Sequence, residues 1–140
     1  MKYLLAVLLL CSCIFCHAQS ADEQAVRAVM DKQLIAWNNG DIDGFMQTYL
    51  KSDSIMFIGS KGITYGWDST LAHYKRGYPD RAAMGKLTFE LKELKPLSPE
   101  YYFIVGKFIL ERGSGNASGH FDLLFKKVNG KWYIISDHTS

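Results

Sequence analysis

The chain has 140 residues, of which 48% are hydrophobic, and its 16 Lys and Arg against 14 Asp and Glu give a formal net charge of +2. Because this charge is close to balance and forms no basic stripe or acidic run, it argues against nucleic acid or a charged membrane surface as the main partner. The length fits one domain with a core large enough to fold without disulfides.

The first 18 residues have the pattern of a secretory signal peptide. Lys2 supplies a positive start, and residues 3–16 are uncharged and rich in leucine. This stretch is shorter than the roughly 20 apolar residues of a membrane-spanning helix, and it ends in the small-residue pattern Cys16-His17-Ala18. We therefore expect cleavage before Gln19 and a periplasmic or secreted protein with no membrane association. A lipoprotein is the alternative, because Cys11 and Cys13 lie where a lipid-attachment cysteine stands.

Cysteine usage agrees with this division of the chain. All three cysteines fall in the predicted signal peptide, so residues 19–140 contain none. The mature protein therefore has no disulfide, no thiolate nucleophile and no cysteine-based zinc site. We expect residues 19–140 to form a single domain.

The first half of this domain has helical periodicity. Ser20 begins a capping box, and the face that follows carries Val26, Met30, Gln33 and Trp37 before Gly40 ends the helix. Asp41 caps a second, short helix, residues 54–58 form a strand, and a third helix with Trp67, Leu71 and Tyr74 on one face ends near Gly77.

The second half has the period-two alternation of strands. Strands are predicted at residues 87–94, 101–112, 120–128 and 131–138, and Asn129-Gly130 between the last two is a strong hairpin signal. Helices followed by a mostly antiparallel sheet predict an α+β fold with the helices on one face of the sheet.

Several segments resemble the nuclear transport factor 2-like superfamily. Residues 36–45 (AWNNGDIDGF) resemble the corner between its first two helices. Asp53 with an apolar strand ending at Gly59, residues 130–135 (GKWYII) and residues 137–140 (DHTS) are similar to its SnoaL-like branch, much of which has no assigned function. The resemblance implies a cystatin-like, cone-shaped fold, in which a curved sheet wraps around the N-terminal helices and a pocket. It also implies a homodimer through the outer sheet face.

The superfamily includes ketosteroid isomerase, whose chemistry can be compared with this chain. The resemblance puts the isomerase's oxyanion-hole tyrosine at Gln33 and its catalytic aspartate at about Ile58. Because an isomerase of this type needs the carboxylate to move a proton, its mechanism does not carry over.

Other polar residues are candidates for the pocket. Side chains alternate between the two faces of a strand. One face of the strand at residues 120–128 therefore carries His120, Asp122 and Leu124, and one face of the last strand carries Trp132, Ile134 and His138. If both faces point inward, His120, Asp122 and His138 form an acid–base group or a two-His, one-carboxylate metal site, although His138 is as well explained by a structural role.

The expected catalytic candidates are therefore His120, Asp122 and His138, with no metal or other cofactor. The expected ligand-binding residues are Gln33, Trp37, Tyr49, Ile58, Trp67, His120 and His138.

Three functions remain open from the sequence. The domain binds a small apolar or partly polar molecule; or it is an isomerase, cyclase or hydrolase using His or Asp in that pocket; or it is a non-catalytic dimeric association module. For the dimer we expect the apolar residues opposite the pocket, Phe121, Leu123, Phe125, Tyr133 and Ile135, to form the outer sheet face.

Overall fold

A computed structural model describes residues 20–140, and the predicted signal peptide at residues 1–18 lies outside them. The helices are α1 (Ala21–Asn38), α2 (Ile42–Met46), α3 (Trp67–Gly77) and α4 (Arg81–Met84). The strands are β1 (Met56–Gly59), β2 (Gly62–Tyr65), β3 (Lys86–Ser98), β4 (Tyr101–Glu111), β5 (Ala117–Val128) and β6 (Lys131–Thr139). Within residues 20–140, no helix combines the length and the apolar character that a bilayer crossing requires.

The long helix α1 forms as its sequence predicts. The Ser20 hydroxyl accepts a hydrogen bond from the Glu23 backbone N–H at 3.1 Å and so caps the helix. The predicted face is buried, with Val26 and Met30 at its start and Gln33 and Trp37 further along. This face packs on β3 and β6 and brings the Gln33 side chain into the interior.

The six strands form one sheet in the order β2-β1-β6-β5-β4-β3. All neighbours are antiparallel except β1 and β6, which run parallel and place Phe57 beside Asp137. The β5–β6 hairpin turns at Asn129 and Gly130, both with positive φ (50° and 76°), as its Asn-Gly sequence predicts. The α+β fold with a mostly antiparallel sheet is confirmed, while β2 and α4 were not predicted.

The inner face of the sheet, which packs against the helices, is set by β4 and β5. Tyr102 and Ile104 of β4 are buried, as are Phe121, Leu123 and Phe125 of β5. The expectation that these three β5 residues form the outer face is therefore wrong. Gly106 matters for this packing, because a Cβ there would lie 2.4 Å from the Phe121 ring.

A β-bulge in β6 changes which residues face inward. Phe125 pairs with Ile134, but the preceding Leu124 pairs with Ser136, so Ile135 is an extra residue in β6. Before the bulge Trp132 and Ile134 are buried, whereas after it the buried residue is Asp137. The bulge therefore turns Asp137 into the interior and His138 out of it.

Candidate functional site

A cavity lies between the helices and the inner face of the sheet. Its volume, measured as the space open to the centre of a water molecule, is about 80 Å³. A single water needs roughly 10–15 Å³ in this measure, so the cavity has room for several waters or for one ring-sized molecule. The lining residues are Met30, Gln33, Trp37, Phe45, Tyr74, Tyr78, Leu87, Phe89, Phe108, Leu110, Phe121, Leu123, Asp137 and Thr139.

Aromatic rings make half of the cavity wall, since seven of the fourteen lining residues are aromatic, and they pack against one another. The Trp37 ring meets Phe45 and Tyr78 edge-on at centroid distances of 5.2 Å and 4.7 Å. On the sheet side, Phe89 and Phe121 meet edge-on at 5.3 Å. Such contacts stabilise ring positions beyond the burial of their area, so the wall is a preformed apolar surface.

One carboxyl group, that of Asp137, lines this apolar cavity. Asp137 is only 5% exposed, and its Oδ2 accepts a hydrogen bond from the Tyr49 hydroxyl at 2.5 Å. Its Oδ1 accepts another from the Thr139 hydroxyl at 2.9 Å. Burial raises the pKa of Asp137, and the hydrogen bonds from Tyr49 and Thr139 oppose that rise without cancelling it. A carboxyl group in this setting can bind a polar ligand atom or, because its pKa is raised, exchange a proton with one more readily than an exposed carboxyl group does.

Two tyrosine hydroxyls extend the polar end of the cavity. The Tyr49 and Tyr74 hydroxyl oxygens lie 3.4 Å apart. The pKa of each phenol is raised well above its usual value, first by burial and then by the negative charge of Asp137. Both tyrosines therefore stay protonated, and Tyr49 acts as a donor that orients the Asp137 carboxylate.

Gln33 provides a second polar group on the cavity wall. Its amide nitrogen donates to the Thr48 hydroxyl oxygen at 3.1 Å, and the Thr48 hydroxyl donates to the Phe45 carbonyl oxygen at 2.7 Å. Because Thr48 uses its single proton on Phe45, it must accept from Gln33. This orients the Gln33 amide with its nitrogen toward Thr48 and its carbonyl oxygen directed away from Thr48.

The residues predicted to bind ligand occupy several different places. Gln33 and Trp37 line the cavity, and Tyr49 reaches it through its hydrogen bond to Asp137. Ile58 and Trp67 are not among the lining residues. Ile58 pairs with His138 in the β1–β6 ladder, and the Trp67 indole donates to the Met46 carbonyl oxygen at 2.9 Å.

The prediction that His120, Asp122 and His138 face the interior is wrong. In β5 the buried alternation runs through Phe121 and Leu123, which leaves His120 and Asp122 on the outer face. In β6 the bulge at Ile135 reverses the alternation before His138. His138 Nδ1 and Asp122 Oδ1 do lie 3.0 Å apart, but the two side chains are 49% and 43% exposed on that outer face. Within residues 20–140, no three His, Cys, Asp or Glu side chains are grouped so that they could hold a metal ion.

Sequence reasoning missed Asp137, which is the main polar group of the site. The residue belongs to the closing DHTS segment that carried part of the family resemblance, but strict alternation from Ile134 puts it on the outer face. Tyr74 was placed on a helix face, Phe45 lies in the segment 36–45 that resembles the family's helix corner, and Tyr78 was not singled out. No local pattern separates a core aromatic residue from one that lines a cavity.

The architecture defines a small α+β domain with an aromatic cavity between its helices and its sheet. It is similar in structure to an NTF-2 like protein of unknown function from Shewanella oneidensis MR-1, with 38% sequence identity over 84% of this chain and 97% of that chain and a TM-score of 0.80. The chain therefore belongs to the NTF2-like family, which confirms the resemblance seen in its sequence.

Two more distant structures share the fold. One is an NTF2-like protein of unknown function from Pseudomonas putida KT2440, with 20% identity, a TM-score of 0.68 and 86% of each chain covered. The other is a ketosteroid isomerase-like protein from Erwinia carotovora atroseptica SCRI1043, with 19% identity, a TM-score of 0.68 and coverage of 86% of this chain and 96% of that one. No family model and no curated protein matches the chain.

Proposed function

We propose that the domain binds a small, mostly apolar molecule in the interior cavity and holds one polar group of that molecule at Asp137. The observation that carries this proposal is a buried carboxyl group on the wall of a cavity that is otherwise largely apolar. Few, well-placed polar groups in an apolar pocket are typical of small-molecule sites.

The hydrogen bonds around Asp137 indicate which polar group the ligand carries. Each carboxylate oxygen already accepts one hydroxyl proton, from Tyr49 or Thr139, and each can accept a second hydrogen bond. When Asp137 is ionised, it is an acceptor only, so a hydroxyl or amino group on the ligand is favoured over an ether or carbonyl oxygen. The preferred ligand class is therefore a ring or short aliphatic molecule with one donor group.

Two ring-sized probes that differ by one O-methyl group test this proposal. 4-Methylphenol has a hydroxyl donor, and 4-methylanisole has an ether oxygen in its place. Isothermal titration calorimetry above the pKa of Asp137 should show tighter binding of the phenol, by about tenfold for one hydrogen bond to a charged acceptor. Equal affinities, or no binding of either probe, would contradict the proposal.

Two variants provide the matched comparison. Asp137→Asn keeps the size of the side chain and removes its charge, so it should reduce the preference for 4-methylphenol. His138→Ala alters the neighbouring residue on the outer face and should leave that preference unchanged. If His138→Ala rather than Asp137→Asn changes binding, the site lies on the outer face.

A second candidate function is proton-transfer catalysis, favoured by one specific feature of the sheet. Phe57 and Asp137 are direct neighbours across β1 and β6, so Asp137 lies beside the strand to which the family resemblance assigns the isomerase's aspartate. With its pKa raised, Asp137 can take a proton from a carbon next to a ligand carbonyl and return it to another carbon. Asp137 would regain its starting state after each cycle.

Hydrogen exchange separates this enzyme from a binding protein. Cyclohexenone incubated with the protein in D₂O should gain deuterium at its acidic carbons if Asp137 moves protons, and NMR detects that gain. Asp137→Asn should abolish the exchange. A wild-type protein that binds ring-sized ligands but never catalyses exchange is a binding protein only.

We also infer that the domain acts outside the cytoplasm. This proposal rests on the sequence of residues 1–18, with its positive start, short apolar run and small-residue cleavage pattern. An exported binding domain without disulfides depends on its core for stability, and the buried cluster spans all of its helices and most of its strands.

A homodimer through the outer sheet face is a further part of the proposal. With the inner face of the sheet now assigned, the outer apolar residues of β4–β6 include Tyr101, Phe103, Val105, Leu124 and Tyr133, all half-buried. Phe103 pairs with Leu124 across β4 and β5, which makes the centre of this surface apolar. A second copy of the chain would cover that surface.

A further inference from the structure

A groove separate from the interior cavity lies between the β1–β2 turn and α3. Its volume in the same measure is about 500 Å³. It contains three basic side chains and no acidic one. The lining residues are Gly59, Ser60, Lys61, Gly62, Ile63, Thr64, His73, Arg76 and Gly77.

Two of the basic groups have no carboxylate partner in the part of the chain that the structure describes. Lys61 and Arg76 are absent from the ion pairs of residues 20–140, whereas the neighbouring Lys75 pairs with Asp43 at 3.0 Å. Cations that converge on a groove without a counter-charge create a positive potential there. That potential favours an anionic ligand.

The third basic group, His73, is held in a fixed position beside them. Its imidazole packs against the Phe57 ring at 5.0 Å and meets the Tyr74 ring edge-on at 6.2 Å. Burial lowers the pKa of His73, and the positive charges of Arg76 on its own helix and Lys61 on the turn lower it further. Because Lys61, His73 and Arg76 all line the groove, they can act together on one ligand.

The backbone of the turn is also accessible from the groove. Gly62 has φ +111°, and a Cβ added there would meet no atom within 4 Å. Gly77, at the end of α3, is equally open. A ligand can therefore approach the main chain without displacing a side chain.

We propose that this groove binds a phosphate monoester group, held by Lys61, Arg76 and the imidazolium form of His73. Three positive groups suit a dianion better than the single charge of a carboxylate, and Arg76 can bind two phosphate oxygens at once. The Phe57 ring, which contacts both His73 and Tyr74, stands between the groove and the cavity wall. The groove is therefore independent of the binding function proposed for the interior.

The titration of His73 gives a direct measurement. A bound phosphate dianion stabilises the imidazolium, so phenyl phosphate should raise the NMR-measured pKa of His73. By linkage, the affinity for the phosphate dianion should increase as pH falls through that pKa, until protonation of the phosphate itself, whose second pKa is about 6, removes the dianion. A His73 pKa that stays the same at saturating millimolar phenyl phosphate would overturn the proposal.

Charge-matched variants show whether the groove, rather than overall charge, binds the phosphate. Lys61→Gln with Arg76→Gln should weaken phenyl phosphate binding by at least about tenfold and raise the pKa of His73 in the free protein. Lys32→Gln with Lys86→Gln removes the same charge from exposed sites on α1 and β3 and should change neither. Equal effects of the two double variants would refute the site.

Two phosphate monoester probes distinguish a lipid headgroup from a soluble ester as the ligand of the groove. Vesicles containing phosphatidic acid present the monoester on a surface, and phenyl phosphate presents it in solution. Sedimentation with vesicles that is lost in Lys61→Gln with Arg76→Gln would support a lipid headgroup, whereas binding of phenyl phosphate alone would support a soluble ester. Failure to bind either probe would reject the phosphate site in the groove, but it would not contradict the binding function proposed for the interior cavity.

Discussion

Removing the Tyr49 hydroxyl tests the buried network around Asp137. Tyr49→Phe eliminates the 2.5 Å hydrogen bond to Asp137 and the 3.4 Å contact with Tyr74, while it keeps the ring in the core. A hydrogen bond to a charged group contributes about 1.5–3 kcal/mol, so we expect the free energy of unfolding to fall by about 2 kcal/mol. For a domain of this size that loss corresponds to a Tm lower by about 8 °C.

The effect of this variant should depend on pH. Because the pKa of Asp137 is raised in the folded protein, the folded state keeps a proton that the unfolded state releases above the ordinary value of 3.8. Stability therefore falls as pH rises from that value to the folded pKa. Tyr49→Phe removes a bond that favours the charged form, so it raises the folded pKa further and extends this window upward. The variant should lose more stability above the window than below it.

Urea unfolding followed by tryptophan fluorescence measures both effects. Tyr74→Phe is the matched comparison, because the Tyr74 hydroxyl lies 3.4 Å from that of Tyr49 and lowers the pKa of Asp137 less than Tyr49 does, so this variant should cost less than Tyr49→Phe. The comparison is made over a pH series that starts at about pH 3, where the carboxyl group is protonated, and follows its ionisation as pH rises. A loss for Tyr49→Phe that equals that of Tyr74→Phe and is the same throughout the series would refute this account of the network.

Four further outcomes are expected. N-terminal sequencing of periplasmic material should begin near Gln19, and a cytoplasmic protein that keeps its initiator methionine would contradict export. Light scattering at micromolar concentration should give twice the chain mass, and Leu124→Glu on the outer face should give a monomer; a wild-type monomer would rule out the dimer. His138→Ala, which breaks an exposed pair, should change the Tm by little, and a large loss of stability would show that His138 has a structural role. Thr48→Val leaves the Gln33 amide without its acceptor and should cost about 1–3 kcal/mol in urea unfolding, whereas an unchanged midpoint would show that Gln33 finds another partner.

Local patterns were sufficient to predict most of the fold. The α1 face with Val26 and Met30, the Ser20 cap and the Asn129-Gly130 hairpin each depend on residues close together in the chain, so sequence spacing alone indicates them. The strand β2 was missed because Ile63 is the only large aliphatic residue in it and lies 51% exposed. The single turn of α4 is too short to show periodicity.

The candidate site was harder to predict because it depends on a tertiary feature. The extra residue Ile135 reverses the side-chain alternation of β6, and no residue type near it signals a bulge. Because the bulge was not predicted, the sequence placed His138 on the inner face and Asp137 on the outer face, which is the reverse of the structure. In β5 both alternating sets contain large apolar residues, Leu124 on one face and Leu123 on the other, so the sequence did not distinguish the inner face.

The most direct test of the interior site is to locate a bound probe. Intermolecular NOEs between 4-methylphenol and the side-chain methyl groups of the isotope-labelled protein report which residues the ligand contacts. We predict contacts with Met30, Leu87 and Leu123, which line the cavity beside Asp137. NOEs to methyl groups of the outer face, such as those of Val105 or Leu124, with none to the three interior residues would contradict the claim that the cavity is the binding site.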